Sequence, residues 1–298
     1  MPAGGREVHL KLENLQPIGS FKLRGAANVM LSADPASLAH GVYTASAGNM
    51  GQGVAWMACR GTGNGEQGIP CTIVVPDRAP QVKLDALARL GATILKVPFD
   101  VWWTTMVEHQ YPGLGGVFVH PFEDERVMAG NGTIGLEILE DLNDVDAVLV
   151  PWGGGGLAAG IAAAVRAVSP RTRVFPVEVE TAAPLAASYA AGAAASVTPQ
   201  PSFVDGMGGK SVFPSMWPLA QSLLERPLVV SVAEIAAAVR VLAERARIVA
   251  EGAGAAPLAA ALSPAFAAIP GIQRVVCIVS GGNIDHAKLA TILRGEVP

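Results

Sequence analysis

The sequence predicts an α/β protein built on parallel sheets covered on both faces, and three observations predict it. Short β-branched runs alternate with longer helical patterns along the 298 residues. The composition is 51% hydrophobic and 15% charged, enough apolar surface for a large core in one domain or two closely packed ones. Three expected strand ends run into small-residue turns followed by helices, the position at which open α/β sheets hold ligands.

The elements follow in order. A strand over 8–13 precedes a helix over 20–31, and a strand over 41–45 precedes a helix over 48–59. Strand 72–75 leads to helix 80–90, strand 93–97 stands by itself, and strand 116–119 leads to helix 130–142. The uncharged stretch 147–165 approaches the length of a bilayer span, but Pro151 and the glycines 153–156 would leave backbone unsatisfied in lipid. It reads as strand 147–150, glycine loop and helix 157–168. After strand 173–179, the run 181–204 is too weakly apolar to insert and reads as a short Ala-rich helix and a Pro-rich loop. Helices 232–249 and 253–262, strand 275–279 and helix 283–294 complete the pattern. No repeat and no long polar linker occurs, so a second domain has to arise as an excursion of the chain.

The balance of 21 Lys+Arg against 25 Asp+Glu, net charge −4, offers no basic footprint for nucleic acid or an anionic membrane surface. Cys59, Cys71 and Cys277 are widely spaced, without CxxC or neighbouring histidines, as expected of reduced thiols in the cytoplasm. The first residues contain no apolar leader segment.

Glycine is the residue type to follow, with 34 copies. Val148-Leu-Val-Pro-Trp followed by Gly153, Gly154, Gly155, Gly156 and Leu157 is a buried strand entering four glycines and then a helix. Backbone N–H groups can converge there on an anion at the positive end of a helix, so the segment is either a phosphate cradle or a structural turn. It is neither a Walker loop nor a GxGxxG fingerprint. Ser46-Ala47-Gly48-Asn49 and Ser280-Gly-Gly-Asn repeat the design with a hydroxyl and an amide. Lys22, in Gly19-Ser-Phe-Lys-Leu-Arg-Gly-Ala, opens a helix among apolar neighbours. Such a lysine is ordinarily a solvated surface residue; desolvated beside a helix N-terminus, it becomes a nucleophilic amine. With a phosphate cradle and no NAD or ATP signature, it suggests a lysine joined to a phosphorylated aldehyde.

Glu13-Asn-Leu-Gln-Pro-Ile-Gly-Ser-Phe-Lys-Leu-Arg-Gly-Ala, Ala45-Ser-Ala-Gly-Asn, His120-Pro-Phe, Gly130-Asn-Gly-Thr, the 153–157 loop, Glu251-Gly-Ala-Gly-Ala and Ser280-Gly-Gly-Asn occur in the order seen in fold-type II pyridoxal-phosphate enzymes. The set covers nearly the whole chain and most resembles the serine/threonine dehydratase branch, which includes serine racemase. The cysteine synthase branch carries Lys-Asp-Arg and Thr-Ser-Gly-Asn at the matching places.

The resemblance implies a tryptophan synthase β-like fold of two three-layer α/β domains with pyridoxal 5'-phosphate between them. Residues 1–40 and 119–298 would form the large domain and 41–118 the small one. Lys22 would bond the cofactor and later take the substrate's Cα proton. Phe21 would pack on the ring, Gly153 to Leu157 hold the phosphate, Asn49 bond the ring hydroxyl, and Ser280 face the pyridine nitrogen, with Glu251 near the ring. A hydroxyl at that nitrogen makes a weaker electron sink than a carboxylate would, which suits β-elimination. Ser46, Ala47, Gly48 and Asn49 would receive the substrate carboxylate.

The implied activity is dehydration of a β-hydroxy amino acid, L-threonine or L-serine, to a 2-oxo acid and ammonia. Other β-eliminations, on hydroxyaspartate or phenylserine, racemisation, and non-catalytic cofactor binding are the alternatives. Racemases of the branch carry an acid/base serine where this chain has Ala47, which favours dehydration. Met50 replaces a common His. Of the serine racemase cation site, Glu178 and Ala182 match but Pro184 replaces the Asp, leaving Glu178 as the sole metal candidate.

Outside the motifs, Trp102-Trp103 reads as packing or a contact to a bulky side chain. His109 and His120 read as separate structural histidines, and Glu123-Asp-Glu as a solvated turn. A cytoplasmic homodimer or higher homo-oligomer without a separate effector domain, acting on a small amino acid, is expected.

Overall fold

A computed structural model describes residues 5–61 and 68–298; residues 1–4 of the stretch read for a leader lie outside them. Along the chain come β1 (Glu7–Leu12), α1 (Lys22–Ser32), α2 (Pro35–Leu38), β2 (Val42–Thr44), α3 (Asn49–Arg60), β3 (Cys71–Pro76), α4 (Gln81–Arg89), β4 (Thr93–Val97) and α5 (Phe99–Glu108). Next are β5 (Val117–Phe118), α6 (Glu125–Asp141), β6 (Ala147–Pro151), α7 (Gly156–Val168), β7 (Arg173–Val179), α8 (Pro184–Ala191), α9 (Met216–Leu223) and β8 (Leu228–Val230). The chain continues with α10 (Val232–Val241), α11 (Gly252–Leu262), α12 (Pro264–Ala267), β9 (Arg274–Val279) and α13 (His286–Leu293). It divides into two compact units, 1–20 with 132–298, and 21–131. Compact packing thus groups residues 21–40 and 119–131 with 41–118.

The first unit is built on a five-stranded sheet in the order β1-β9-β6-β7-β8. Every pairing is parallel, with Glu7 opposite Arg274 and Ala147 opposite both Val275 and Arg173. Every residue of β6 is buried, and β7 and β9 are buried after their first residue. Uniform burial along a strand means that both sheet faces are covered, the condition under which parallel sheets occur. α11 packs on β6 to β9 and is buried from Gly252 to Ala261, while α7 packs on β6 and β7. Leu149, Val177, Ile235, Leu258, Phe266 and Val279 belong to the resulting core. The stretch 147–165 is strand, glycine loop and helix, as expected. Among the described residues no helix is long and apolar enough to cross a membrane.

The second unit has a four-stranded parallel sheet in the order β4-β3-β2-β5. α3 packs on β2, β3 and α1, α4 on β4, and α5 on β3. Met50, which stands where the resemblance has a common His, is 1% exposed and packs in this unit's core with Val54, Ile73 and Leu87.

Several elements depart from expectation for identifiable reasons. α5 occupies a segment rich in Val, Trp and Thr that carries no helix signal by propensity. Pro98 starts it, Asp100 favours its first turn, and Thr105 and Met106 bury one side. α6 begins at Glu125 rather than 130, because the Asp124 carboxylate accepts from the Arg126 N–H at 2.8 Å. α10 stops at Val241, where a π turn over Leu242–Ala246 follows and Arg247 adopts φ 60°, ending the helical path expected to reach 249. α13 starts at His286 because the Asp285 side chain accepts from the Ala287 and Lys288 amides. β8 and α9, α2 and α12 are short elements without a sequence expectation.

Candidate active site

In the first unit β6 delivers the chain to Trp152 and the four glycines. Gly155 has φ +95° and is the N-cap residue of α7. A Cβ on Gly155 would lie 2.5 Å from Trp152 Cη2, so the indole forms a floor under the loop and only glycine fits above it. The amides of Gly156 and Leu157 open α7 at its positive end. The loop thus turns at a position that only glycine fills, directly before the positive end of a helix, an arrangement able to receive a small anion.

At the end of β9, Ser280 is 3% exposed and Glu251 is 5% exposed. A Cβ on Gly281 would come within 2.5 Å of Glu251 Oε1, so the missing side chain is what lets the carboxylate lie beside Ser280-Gly281. The Glu251 amide donates to the Gly281 carbonyl at 3.0 Å. A second strap ties the same turn to the segment before Lys22. Ser20 bridges Gly281, Gly282 N–H donates to the Gly19 carbonyl at 2.9 Å, and Asn283 Nδ2 donates to the Ile18 carbonyl at 2.9 Å. Two of the sequence motifs, far apart in the chain, are therefore one cross-bonded assembly, with Asn283 as a member that motif reading left without a role.

In the second unit Phe21 is the N-cap residue of α1 and Lys22 its first residue. Lys22 is half-buried, its Nζ donates to the Pro121 carbonyl at 2.6 Å, and it lies 5.0 Å from the Phe21 ring centroid. Pro121 stands in a turn whose amides, Phe122 N–H at 3.3 Å and Glu123 N–H at 2.7 Å, both donate to His120 Nδ1. His109 Nε2 lies 3.1 Å from Glu123 Oε2, and the two imidazole rings are 4.4 Å apart. His109 and His120 are thus a pair rather than separate residues, and Glu123 is bound between them rather than a solvated turn. Burial, with the neighbouring His109, pushes the His120 imidazole down to about 4.

The Ser46-Ala47-Gly48-Asn49 turn follows β2, and all four residues are half-buried. The Gly48 amide donates to Ser46 Oγ at 3.3 Å, Asn49 is the first residue of α3, and Ala47 packs against the core. Trp102 and Trp103 both lie on α5, where Trp102 packs on Phe99 with ring centroids 5.4 Å apart. Glu178, the metal candidate, is fully buried with both oxygens engaged, accepting from Leu185 N–H and Ala186 N–H at 2.8 Å each. It holds the start of α8, where Pro184 is the first residue. Burial pushes its carboxyl up to about 7, and the two amides offset only part of that.

Sequence reading singled out Lys22, the glycine loop, Ser280 and Glu251 as candidates through contiguous motifs. It missed the Pro121 carbonyl and the His109–Glu123 tie. His120-Pro-Phe was visible as a motif, but no signal in the sequence links it to His109.

Residues 2–281 match the family model described as pyridoxal-phosphate dependent enzyme. The chain is 41% identical over 296 residues to the L-threonine ammonia-lyase of Geobacter sulfurreducens, spanning 98% of this chain and 71% of that protein. Threonine deaminase isoform 2 of Solanum lycopersicum, in its processed form, superposes with TM-score 0.87 at 34% identity, over 97% of this chain and 78% of that one. Serine racemase of Dictyostelium discoideum superposes with TM-score 0.84 at 33% identity, over 95% and 89% of the two chains.

Proposed function

Because this chain belongs to the family of pyridoxal-phosphate-dependent enzymes, we propose that it is an ammonia-lyase that dehydrates L-threonine, with L-serine as a second substrate, to a 2-oxo acid and ammonia. The observation that carries the reading is Lys22 as the first residue of α1, its amine held at 2.6 Å by the Pro121 carbonyl, in a chain that also runs four glycines, 153–156, into the start of a helix. Similarity to the Geobacter sulfurreducens L-threonine ammonia-lyase supports the substrate.

When bound, pyridoxal phosphate supplies a carbonyl for the substrate amine and an electron sink for the Cα carbanion. The chain's own residues do the rest. Gly153, Gly154, Gly155, Gly156 and Leu157 would hold the phosphate with backbone dipoles, and Phe21, Asn49, Ser280 and Glu251 are the residues assigned to the ring. Lys22 would carry the cofactor, and its Nζ, when free, would take the substrate's Cα proton. Ser46 to Asn49 bind the substrate carboxylate at the start of α3. Ala47 has no exchangeable proton for the opposite face, which supports elimination over racemisation. We assign residues 1–40 and 119–298 to a cofactor-binding domain and 41–118 to a substrate domain. The reading includes a cytoplasmic homodimer, supported by the three unpaired cysteines and by the family resemblance.

The test is a panel of L-threonine, L-serine, threo-3-hydroxyaspartate and phenylserine, assayed for oxo acid. L-Threonine is expected to react fastest, and D-serine forming from L-serine faster than pyruvate would overturn the reading. Lys22→Ala should lose the colour that borohydride fixes and at least about 1,000-fold in turnover.

A further inference from the structure

The amine of Lys22 is held by a main-chain carbonyl, and a carbonyl is only as well placed as the turn that presents it. That turn is pinned from inside by one imidazole. His120 is 1% exposed, and its Nδ1 accepts from the two amides that follow Pro121. Accepting there requires the Nδ1 lone pair, so the neutral ring carries its proton on Nε2. Glu123 lies on that side, with Oε2 3.8 Å from His120 Nε2 and 3.1 Å from His109 Nε2. His109 ends α5 in the left-handed conformation, φ 57°, unusual outside glycine and asparagine, and there its ring packs on His120. A sparsely populated backbone geometry thus sits at the residue that completes the cluster.

We propose that His109, His120 and Glu123 form a positioning device for the Lys22 amine, locking the Pro121 carbonyl where it accepts from Nζ whenever the lysine is not bonded to the cofactor. The proposal rests on the reading of Lys22 as the cofactor lysine. The carbonyl accepts from the amine in either protonation state, so it sets where the nitrogen waits and which way its lone pair points without deciding its charge. Protonating His120 would put a hydrogen on Nδ1 against two N–H groups and open the turn. The groups facing the ring divide on this point: burial, His109 and Lys22 oppose the proton, while Glu123 and the Met106 backbone favour it. The ligand atoms of His109, His120 and Glu123 lie within 4.8 Å of one another, close enough for a metal ion. The protonated Nε2 argues against one, since a metal needs that lone pair.

The experiment times borohydride trapping of cofactor on Lys22 by mass spectrometry after pyridoxal phosphate is added to the cofactor-free full chain. His120→Leu should slow trapping about tenfold, the loss of one buried acceptor, with cofactor affinity within about threefold of wild type. His120→Asn, whose Oδ1 can accept the same amides, should restore the rate to within about threefold. His109→Gln, at a half-exposed position, should slow it about threefold and serves if His120→Leu does not fold. In parallel, nitrogen NMR of the wild type should show His120 as the Nε2–H tautomer, and its titration midpoint should rise in Lys22→Met. Wild-type trapping rates in both His120→Leu and His109→Gln would overturn the proposal, as would an Nδ1–H tautomer or a zinc-induced shift of Nε2. Failure of the parent reading looks different: no adduct would form on Lys22 in the wild type at all.

Discussion

Gly155 shows how much of a loop's shape one absent side chain can decide. Its φ of +95° costs an L-residue about 1–2 kcal/mol, and a methyl there would also press on the Trp152 ring. Gly155→Ala should therefore lower the unfolding midpoint and weaken pyridoxal phosphate binding at least about tenfold, measured by titrating the cofactor-free protein. The larger loss in binding than in stability is the discriminating outcome, because the loop does little for the core. The same position illustrates legibility. Four consecutive glycines between an apolar strand and a helix mark a turn able to receive an anion, but nothing in the letters says that the preceding Trp152 is the floor beneath it. Lys22 was likewise legible as a helix-opening lysine, while one acceptor of its amine is a main-chain carbonyl 99 positions away, and backbone atoms have no sequence signature.

Among the elements, α8 depends most on a single ionisable group. Its first free amides, on Leu185 and Ala186, are satisfied by Glu178 from the sheet below. Because the folded carboxyl sits near 7, above its ordinary value of 4.5, the folded state binds the proton more tightly than the unfolded chain. That stabilisation is complete below about pH 4.5 and is lost as pH rises through 7, a total of about 3 kcal/mol. Glu178→Gln should gain on the wild type by roughly that amount between pH 4.5 and 8 in denaturant unfolding; equal pH dependence would place the charge elsewhere. Strands with strong β-branched runs, such as β4 and β7, were readable to the residue. α5 was not, because Val, Trp and Thr favour strands locally and only burial of Thr105 and Met106 makes the helix pay. α10 was overrun because a π turn leaves hydrophobic periodicity almost undisturbed while redirecting the chain towards Glu251.

At the scale of the molecule, the cofactor should act as a stabilising ligand as well as a reagent. Pyridoxal phosphate at 100 times its dissociation constant should add about 2.7 kcal/mol and raise the melting temperature by several degrees. Lys22→Ala should retain part of that rise through the phosphate contacts, whereas an unchanged melting curve in the wild type would count against the cradle. The sheet of the first unit has a further consequence, for the order of events during synthesis. β9 lies between β1 and β6, so a strand made first must wait for one made last before it has a neighbour. The unit 21–131 is continuous in the chain and has all four of its strands by residue 118. At about 5–20 residues per second, the ribosome needs roughly ten to thirty seconds more to reach β9. During that interval β1 and one edge of β6 stand unpaired, so the nascent chain is most exposed to aggregation and chaperone capture just before its last strand emerges.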